Sequence, residues 1–139
     1  MTEHCLVDTN ILVYAFASRG TKHEKAKALV SDLMHSGGMA VSSQNLAEFC
    51  RVSTEKLAEK IPHSSALNAI ETLSSSSKVV FYGTGEVKEA LRLCSSYGGH
   101  FFDSLLAATM ASENISTIYT ENEKDFRKVA GLKVVNPFK

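Results

Sequence analysis

The sequence lacks a long apolar run. No stretch of the 139 residues approaches the ~20 apolar residues that a membrane-spanning helix needs. The segment from Met1 to Val7 carries Glu3 and His4, and it has no basic stretch followed by a longer apolar one. No secretory signal is therefore predicted. These absences predict a cytoplasmic protein that has no membrane partner.

Cysteine is scarce, and neither sign of charge is in excess. The odd number of cysteines, their wide separation and their apolar neighbours favour buried free thiols over disulfides or a zinc site. The three are Cys5, Cys50 and Cys94. Fifteen basic residues balance fifteen acidic ones. Net neutrality argues against binding of nucleic acid by bulk charge alone, but it leaves room for a local acidic pocket beside a basic rim.

Length and composition set the scale of the fold. The chain has 139 residues, of which 44% are hydrophobic and 22% charged. These values are typical of a soluble globular protein, and the length fits one domain. No internal repeat and no domain-sized linker interrupts the sequence. We therefore predict a single domain over residues 1–139.

Short apolar runs alternate with longer helical patterns along the chain. The runs predict five strands, at Cys5-Leu6-Val7, Met39-Ala40-Val41, Val79-Val80-Phe81, Thr117-Ile118-Tyr119 and Lys133-Val134-Val135. Helices are predicted over residues 10–17, 22–35, 44–60 and 102–113, and after Pro62 and Thr84, with a serine loop at 74–77. Strands separated by helices favour a three-layer α/β/α sandwich with a central, mostly parallel sheet of about five strands.

Several acidic residues follow the predicted strands. Asp8 comes directly after the first strand, Glu48 lies about one turn into the helix after the second, and Asp103 opens a later helix. In open α/β sheets, ligands bind beyond the carboxyl ends of the strands. Crowded carboxylates repel one another unless they are protonated or neutralised by a cation. Oxygen ligands without a Cys/His cluster indicate Mg²⁺ or Mn²⁺ rather than zinc.

Each acid also has a structural interpretation. Asp8 could cap the first helix, Glu48 could lie on a helix surface, and Asp103 could be a first-turn acid favoured by the helix dipole. Glu121 and Asp125 could be solvated loop acids. The joint placement of these residues, rather than any one of them, favours a site.

Four segments in order resemble the PIN domain, and particularly the VapC-type toxin ribonucleases. They are residues 6–12 (LVDTNIL), 43–49 (SQNLAEF), 102–108 (FDSLLAA) and 119–126 (YTENEKDF), and the ending at 135–138 (VNPF) is also common in such toxins. The resemblance spans essentially the whole chain. It implies a PIN-like fold and a metal-dependent endoribonuclease that leaves 5′-phosphate and 3′-hydroxyl ends.

The resemblance also implies roles for particular residues. The catalytic set is Asp8, Glu48, Asp103 and Asp125; the metal set is Asp8, Asp103 and Asn122, for Mg²⁺ or Mn²⁺; the supporting set is Thr9, Ser43 and Thr120. VapC-type proteins are toxins of toxin–antitoxin pairs and tend to form homodimers. An RNA substrate, a protein antitoxin and a second copy of the chain are therefore the expected partners.

One position departs from the family pattern. Where many members have a fourth Asp, this sequence has Asn122, whose carbonyl can bind a metal but carries no charge. Asp125 could supply the missing carboxylate. The departure keeps open an alternative function, a catalytically weak or inactive PIN-like module that binds RNA or protein.

Cationic side chains near the predicted edge could guide RNA past the acidic pocket. The candidates are Lys22, Lys25, Arg51, Lys56, Lys124 and Arg127. They could equally be ordinary solvated side chains. A phospho-accepting signalling domain fits less well, because the strand Val79-Val80-Phe81 is not followed by an Asp. A dinucleotide-binding loop fits no better, since Lys88 takes the place of the third glycine after Gly83 and Gly85.

Overall fold

One parallel sheet forms the centre of the protein. The structure, a computed structural model, describes residues 3–139. Met1 and Thr2, which belong to the predicted domain and to the segment in which no secretory signal is predicted, lie outside the described residues. The strands are β1 (Cys5–Val7), β2 (Met39–Ser42), β3 (Lys78–Val80), β4 (Thr117–Tyr119) and β5 (Lys133–Val135). Their order is β3-β2-β1-β4-β5, and every neighbouring pair is parallel.

Helices connect the strands and cover both faces of the sheet. They are α1 (Thr9–Ala17), α2 (Thr21–Ser36), α3 (Ser43–Arg51), α4 (His63–Ser76), α5 (Thr84–Tyr97), α6 (Phe101–Ser112) and α7 (Glu123–Phe126). A turn of π-helix (Val52–Lys56) continues α3. The predicted α/β/α sandwich with five parallel strands is therefore confirmed. The short helix α7 was not predicted.

The central strand β1 separates two apolar clusters. Val7 packs in a cluster with residues of α1 and α3, including Leu12 and Phe49. Leu6, which points to the other face, packs in a cluster with Leu106 of α6 and Phe126 of α7. Both strand residues are completely buried. Burial on both faces explains why β1 is a continuous apolar run rather than an alternating one.

The helix predicted over residues 44–60 is shorter and ends differently. Regular α-helix stops at Arg51, and the π turn closes with a bond of 3.1 Å from the Leu57 amide to the Val52 carbonyl. The Thr54 hydroxyl donates to the Cys50 carbonyl at 2.7 Å and so competes with the helical bonding there. Leu57 then takes an extended backbone, with φ −68° and ψ 149°, which ends the helix.

The loop predicted at the four serines is wrong. Helix α4 runs through Ser76, and only Ser77, its C-cap, has extended geometry. Leu73 is fully buried and anchors the last turn, while the Ser74 and Ser75 hydroxyls donate to carbonyls three residues back. Tertiary packing therefore overrides the weak helix propensity of serine.

Two smaller boundaries also move. Strand β3 begins at Lys78 and ends at Val80, so Phe81 lies outside it and is 66% exposed. Thr84 does not cap α5: the N-cap is Gly83, whose amide donates to the Glu86 carboxylate at 2.7 Å.

Two predictions from composition concern the thiols and the membrane. All three cysteines are free, as predicted, but each is only partly buried. Within residues 3–139, no helix combines the length and the apolar character needed to cross a bilayer.

Candidate functional site

A cavity of about 400 Å³ lies at the carboxyl edge of the sheet. Asp8 follows β1, Glu48 lies on α3, Asp103 lies in the first turn of α6, and Asn122 follows β4. All four line this cavity, as do Thr9, Asn10, Val13, Tyr14, Val52 and Leu57. Because the strands are parallel, their connections bring side chains from distant parts of the chain to one edge. The π turn contributes Val52 to the apolar wall.

Asp8 is the most constrained of the acids. Its Oδ1 accepts from the Thr9 amide at 2.8 Å and from Asn45 Nδ2 at 3.3 Å, while its Oδ2 accepts from the Thr120 hydroxyl at 2.8 Å. Burial first, and then the charges of Asp103 and Glu48, raise the pKa of Asp8 to about 6 against the opposing effect of the Thr120 and Thr9 hydrogen bonds. Asp8 is also the N-cap of α1. The capping role and the site role therefore belong to one carboxylate.

Glu48 is positioned by the start of α3. Its Oε1 accepts from Gln44 Nε2 at 2.8 Å, and its Oε2 lies 3.4 Å from the Thr9 hydroxyl that donates to it. The Gln44 amide also donates to the Phe102 carbonyl at 3.0 Å, which ties α3 to α6. Glu48 is partly buried and faces the cavity, so it is not a surface residue of its helix.

Asn45 connects the cap of α3 to Asp8. Its side-chain oxygen accepts from the Ser42 amide at 3.2 Å and hydroxyl at 2.8 Å, and Ser42 Oγ accepts from the Asn45 amide at 2.9 Å. Its Nδ2 reaches both Thr9 Oγ1, at 3.0 Å, and Asp8. Asn45 is 1% exposed. Sequence reasoning did not assign it to the site, although the S-x-x-N spacing from Ser42 is a capping signal.

Asp103 and Asn122 both line the cavity and lie close to one another. Burial raises the pKa of Asp103, the charges of Asp125 and Glu48 add to the rise, and His100 and a hydrogen bond with Asn122 oppose it. Asp125 is therefore close enough to Asp103 for its charge to matter, although it does not line the cavity.

The segment after β4 is held by residues of α1. Thr120 Oγ1 accepts from the Asn122 amide at 2.9 Å while its hydroxyl donates to Asp8, and the Glu121 amide donates to Asn10 Oδ1 at 3.2 Å. Thr120 is fully buried. It therefore lies behind Asp8 and orients it, while Asn122 is turned into the cavity.

Glu121 is not a free loop acid. Its carboxylate accepts from the Tyr14 hydroxyl at 2.9 Å and pairs with Lys22. Burial would raise the pKa of Glu121, but the hydrogen bonds from Lys22 and Tyr14 outweigh it, so the pKa is lowered. Sequence reasoning did not anticipate Tyr14, which also lines the cavity.

The predicted site residues thus divide into groups. Asp8, Thr9, Glu48, Asp103 and Asn122 line one cavity, and Thr120 supports it from behind. Asp125 lies outside the lining. Ser43 is the first residue of α3 and also lies outside it; the neighbouring Ser42 forms the cap.

Comparison with known proteins places the chain in a family. The family model described as PIN domain matches residues 5–132. The chain belongs to the PIN domain family. Among curated proteins, none matches the chain.

Solved structures show the same fold at low sequence identity. A toxin–antitoxin complex from Klebsiella pneumoniae is 22% identical, with a TM-score of 0.72 over 96% of this chain and 97% of that one. VapC20 from Mycobacterium tuberculosis, a toxin that cleaves the sarcin–ricin loop, is 18% identical, with a TM-score of 0.73 over 93% and 96%. DNA-bound VapBC from Salmonella typhimurium is 18% identical, with a TM-score of 0.71 over 99% of both chains.

PIN domains generally use divalent metal ions, and the side chains here have the appropriate chemistry. Within residues 3–139, no three His, Cys, Asp or Glu side chains converge closely enough to hold an ion as they stand. The cavity nevertheless presents three carboxylates and the Asn122 amide, which are oxygen donors for a hard cation. Burial raises the pKa values of Asp8 and Asp103, and the charges of neighbouring acids add to the rise, so a cation among these carboxylates would favour their charged forms. A divalent cation therefore fits this PIN domain's donor set.

The candidate guiding cations differ in their surroundings. In this PIN domain, Lys22 pairs with Glu121 and Arg127 lies 3.8 Å from Glu123, so neither is a free cation. The remaining four, Lys25, Arg51, Lys56 and Lys124, are exposed and form no ion pair with a described residue. Arg51 lines a second cavity, together with Glu48.

Proposed function

We propose that this protein is a Mg²⁺- or Mn²⁺-dependent endoribonuclease and the toxin of a toxin–antitoxin pair. The observation that carries the proposal is one cavity lined by Asp8, Glu48, Asp103 and Asn122 in a chain that belongs to the PIN domain family. Three acids at the carboxyl edge of a parallel sheet repel a phosphodiester unless a cation lies between them.

The contacts of the side chains support a proposed role for each. Asp8, Asp103 and Asn122 would hold the ion, and Glu48 and Asp125 would complete its surroundings. A bound divalent ion supplies polarisation of the scissile phosphate and activation of an attacking water. The Thr120 and Thr9 bonds keep the Asp8 carboxylate in one orientation, and Gln44 does the same for Glu48. Hydrolysis in this way leaves 5′-phosphate and 3′-hydroxyl ends.

The names of the structural relatives support a protein antitoxin as a partner. Several of these are complexes whose names include an antitoxin or a VapBC pair. A protein antitoxin, an RNA substrate and a second copy of the chain are the partners we propose, for a cytoplasmic protein that acts as one domain.

Incubation with RNA tests the proposal directly. Purified protein is mixed with structured and single-stranded RNAs, with Mg²⁺, with Mn²⁺ or with EDTA, and the products are resolved on gels. We expect cleavage that needs metal and falls by about 10²-fold or more in Asp8→Asn and Asp103→Asn. Asp32→Asn, at an exposed position of α2, is the matched control and keeps full activity. Cleavage that persists in both site variants would refute this site.

A binding module without catalysis is the second candidate. It is favoured by the neutral Asn122 and by the absence, within residues 3–139, of three acids close enough to hold an ion. Calorimetric titration of Mn²⁺ into the wild type and Asp8→Asn separates the two functions. A nuclease binds the ion and loses affinity in the variant, whereas a binding module shows no heat of binding in either protein.

A further inference from the structure

A second cavity, of about 410 Å³, adjoins the acidic one. The two share Glu48 and Val52. The second cavity is also lined by Arg51 from the end of α3, Tyr82 from the segment after β3 and Phe102 from the start of α6. Three separate parts of the chain therefore build a pocket directly beside the proposed catalytic carboxylates.

The pocket presents aromatic rings to solvent. Phe102 is 62% exposed and Tyr82 is 43% exposed. The Phe102 ring is braced edge-to-face by Phe101, with centroids 5.3 Å apart and planes at 80°. The Phe102 carbonyl accepts from the same Gln44 nitrogen that donates to Glu48. The backbone of Phe102 is thus tied to the side chain that positions Glu48, while its ring stays exposed and outside the core.

Arg51 adds a positive charge to this pocket. It is exposed and pairs with no acidic side chain among the described residues. A guanidinium can bind a phosphate with two parallel hydrogen bonds or stack on a flat ring. Arg51 lies beside Glu48, so it can attract a phosphodiester that the acids themselves repel.

We propose that this second cavity is a base-binding subsite for an unpaired RNA nucleotide next to the scissile phosphate. The inference rests on the proposed ribonuclease function. Every base has a π-face, so aromatic stacking binds single strands with little sequence preference. Phe102 and Tyr82 would stack the base while Arg51 binds the adjoining phosphate. The unpaired charge of Arg51 favours a phosphate-bearing ligand over an apolar partner helix.

Metal-free binding tests the subsite without requiring cleavage. A short fluorescein-labelled single-stranded RNA and an abasic strand of the same length are titrated with protein in EDTA at low salt, and fluorescence anisotropy gives the Kd. We expect the wild type to prefer the base-bearing strand. Phe102→Leu, which keeps an apolar side chain but loses the π-face, should bind that strand about tenfold more weakly. Its affinity for the abasic strand should not change.

Matched variants separate stacking from other effects. Phe102→Trp, which has a π-face, should bind the base-bearing strand as tightly as the wild type does. Tyr97→Leu, which removes a 40% exposed ring of α5, should leave binding unchanged. Arg51→Gln should weaken binding of both strands and make the Kd less dependent on salt. Equal affinity of Phe102→Leu and wild type for the base-bearing strand would overturn the subsite, as would absence of measurable binding by the wild type. A change of sedimentation mass in Phe102→Leu without loss of RNA binding would assign the surface to a protein contact instead.

The two proposals fail in different ways. A wild type that cleaves RNA but binds abasic and base-bearing strands equally would overturn only the subsite. A wild type that prefers base-bearing RNA through Phe102, yet never cleaves with Mg²⁺ or Mn²⁺, would overturn the nuclease and retain the subsite as part of a binding module.

Discussion

At the scale of single residues, Asp8 combines a structural and a chemical role. Its carboxylate caps α1 and accepts three hydrogen bonds, which favour the charged form. Burial and the neighbouring acids nevertheless dominate, and the pKa rises to about 6. The folded protein therefore holds a negative charge at neutral pH in a place where that charge is unfavourable. Such a charge lowers stability in the absence of a cation and favours binding of one.

We predict that Asp8→Asn stabilises the metal-free protein at neutral pH. The unfolded carboxyl has its ordinary pKa of 3.8, whereas the folded one has a pKa of about 6. The folded state thus binds the proton more tightly, and stability from this group is lost as the pH rises from about 4 to above 6. The free energy of unfolding of Asp8→Asn, relative to that of the wild type, should rise over that pH range by up to about 3 kcal/mol, since each pKa unit is worth about 1.4 kcal/mol.

Urea unfolding in EDTA at about pH 4.5 and about pH 7.5 measures this difference. Asp32→Asn, which changes an exposed carboxylate, should show no comparable trend. An Asp8→Asn protein that is less stable than wild type at the higher pH would show that the cap and its hydrogen bonds outweigh the cost of the buried charge.

At the scale of elements, the sequence predicts strands better than helix ends. Four of the five strands are short apolar runs that reappear at their predicted positions, and β3 is displaced by one residue. The end of α3 depended on the Thr54 hydroxyl and the Leu57 bond to Val52, and the end of α4 on burial of Leu73. The two bonds at the end of α3 are local and the burial of Leu73 is tertiary, but none of these contacts leaves a periodic signal in the sequence.

We predict that Asn45, at the start of α3, supports both the helix and the site. Asn45→Ala removes an acceptor for Ser42 and a donor for Thr9 and Asp8, all in a buried place. The expected loss of stability is about 2–3 kcal/mol, because buried partners are left unsatisfied. Asn68→Ala, at an exposed position of α4, is the matched control and should change stability by no more than about 0.5 kcal/mol.

Asn45→Asp separates the two contributions. The carboxylate can still accept from Ser42, but it can no longer donate to Asp8 and adds a like charge beside it. We expect a small change in stability at low pH and a large loss of cleavage at neutral pH. Cleavage equal to the wild type would mean that Asn45 supports only the helix.

At the scale of the whole molecule, the parallel order of the strands determines which predicted residues meet. Asp8, Glu48 and Asp103 are up to 95 positions apart in the sequence, and the sheet brings them to one cavity. Their meeting could be predicted because Asp8 and Glu48 follow two predicted parallel strands and the family resemblance assigns Asp103 to the same site. Which of Asn122 and Asp125 lines the cavity could not be predicted, because it depends on how Thr120 holds the backbone after β4. The pocket beside Glu48 was also missed, since no pattern relates Tyr82 to Phe102.

The two apolar clusters share the central strand β1, so we predict that the chain unfolds as one cooperative unit. Leu12→Ala on one face and Leu106→Ala on the other should each cost about 2–5 kcal/mol, because both side chains are buried. Leu67→Ala, at a 59% exposed position, should cost little. Far-UV and near-UV circular dichroism in urea should give coincident transitions in every variant. Two separated transitions, only one of which moves in Leu106→Ala, would instead show that the layers on either side of β1 fold independently.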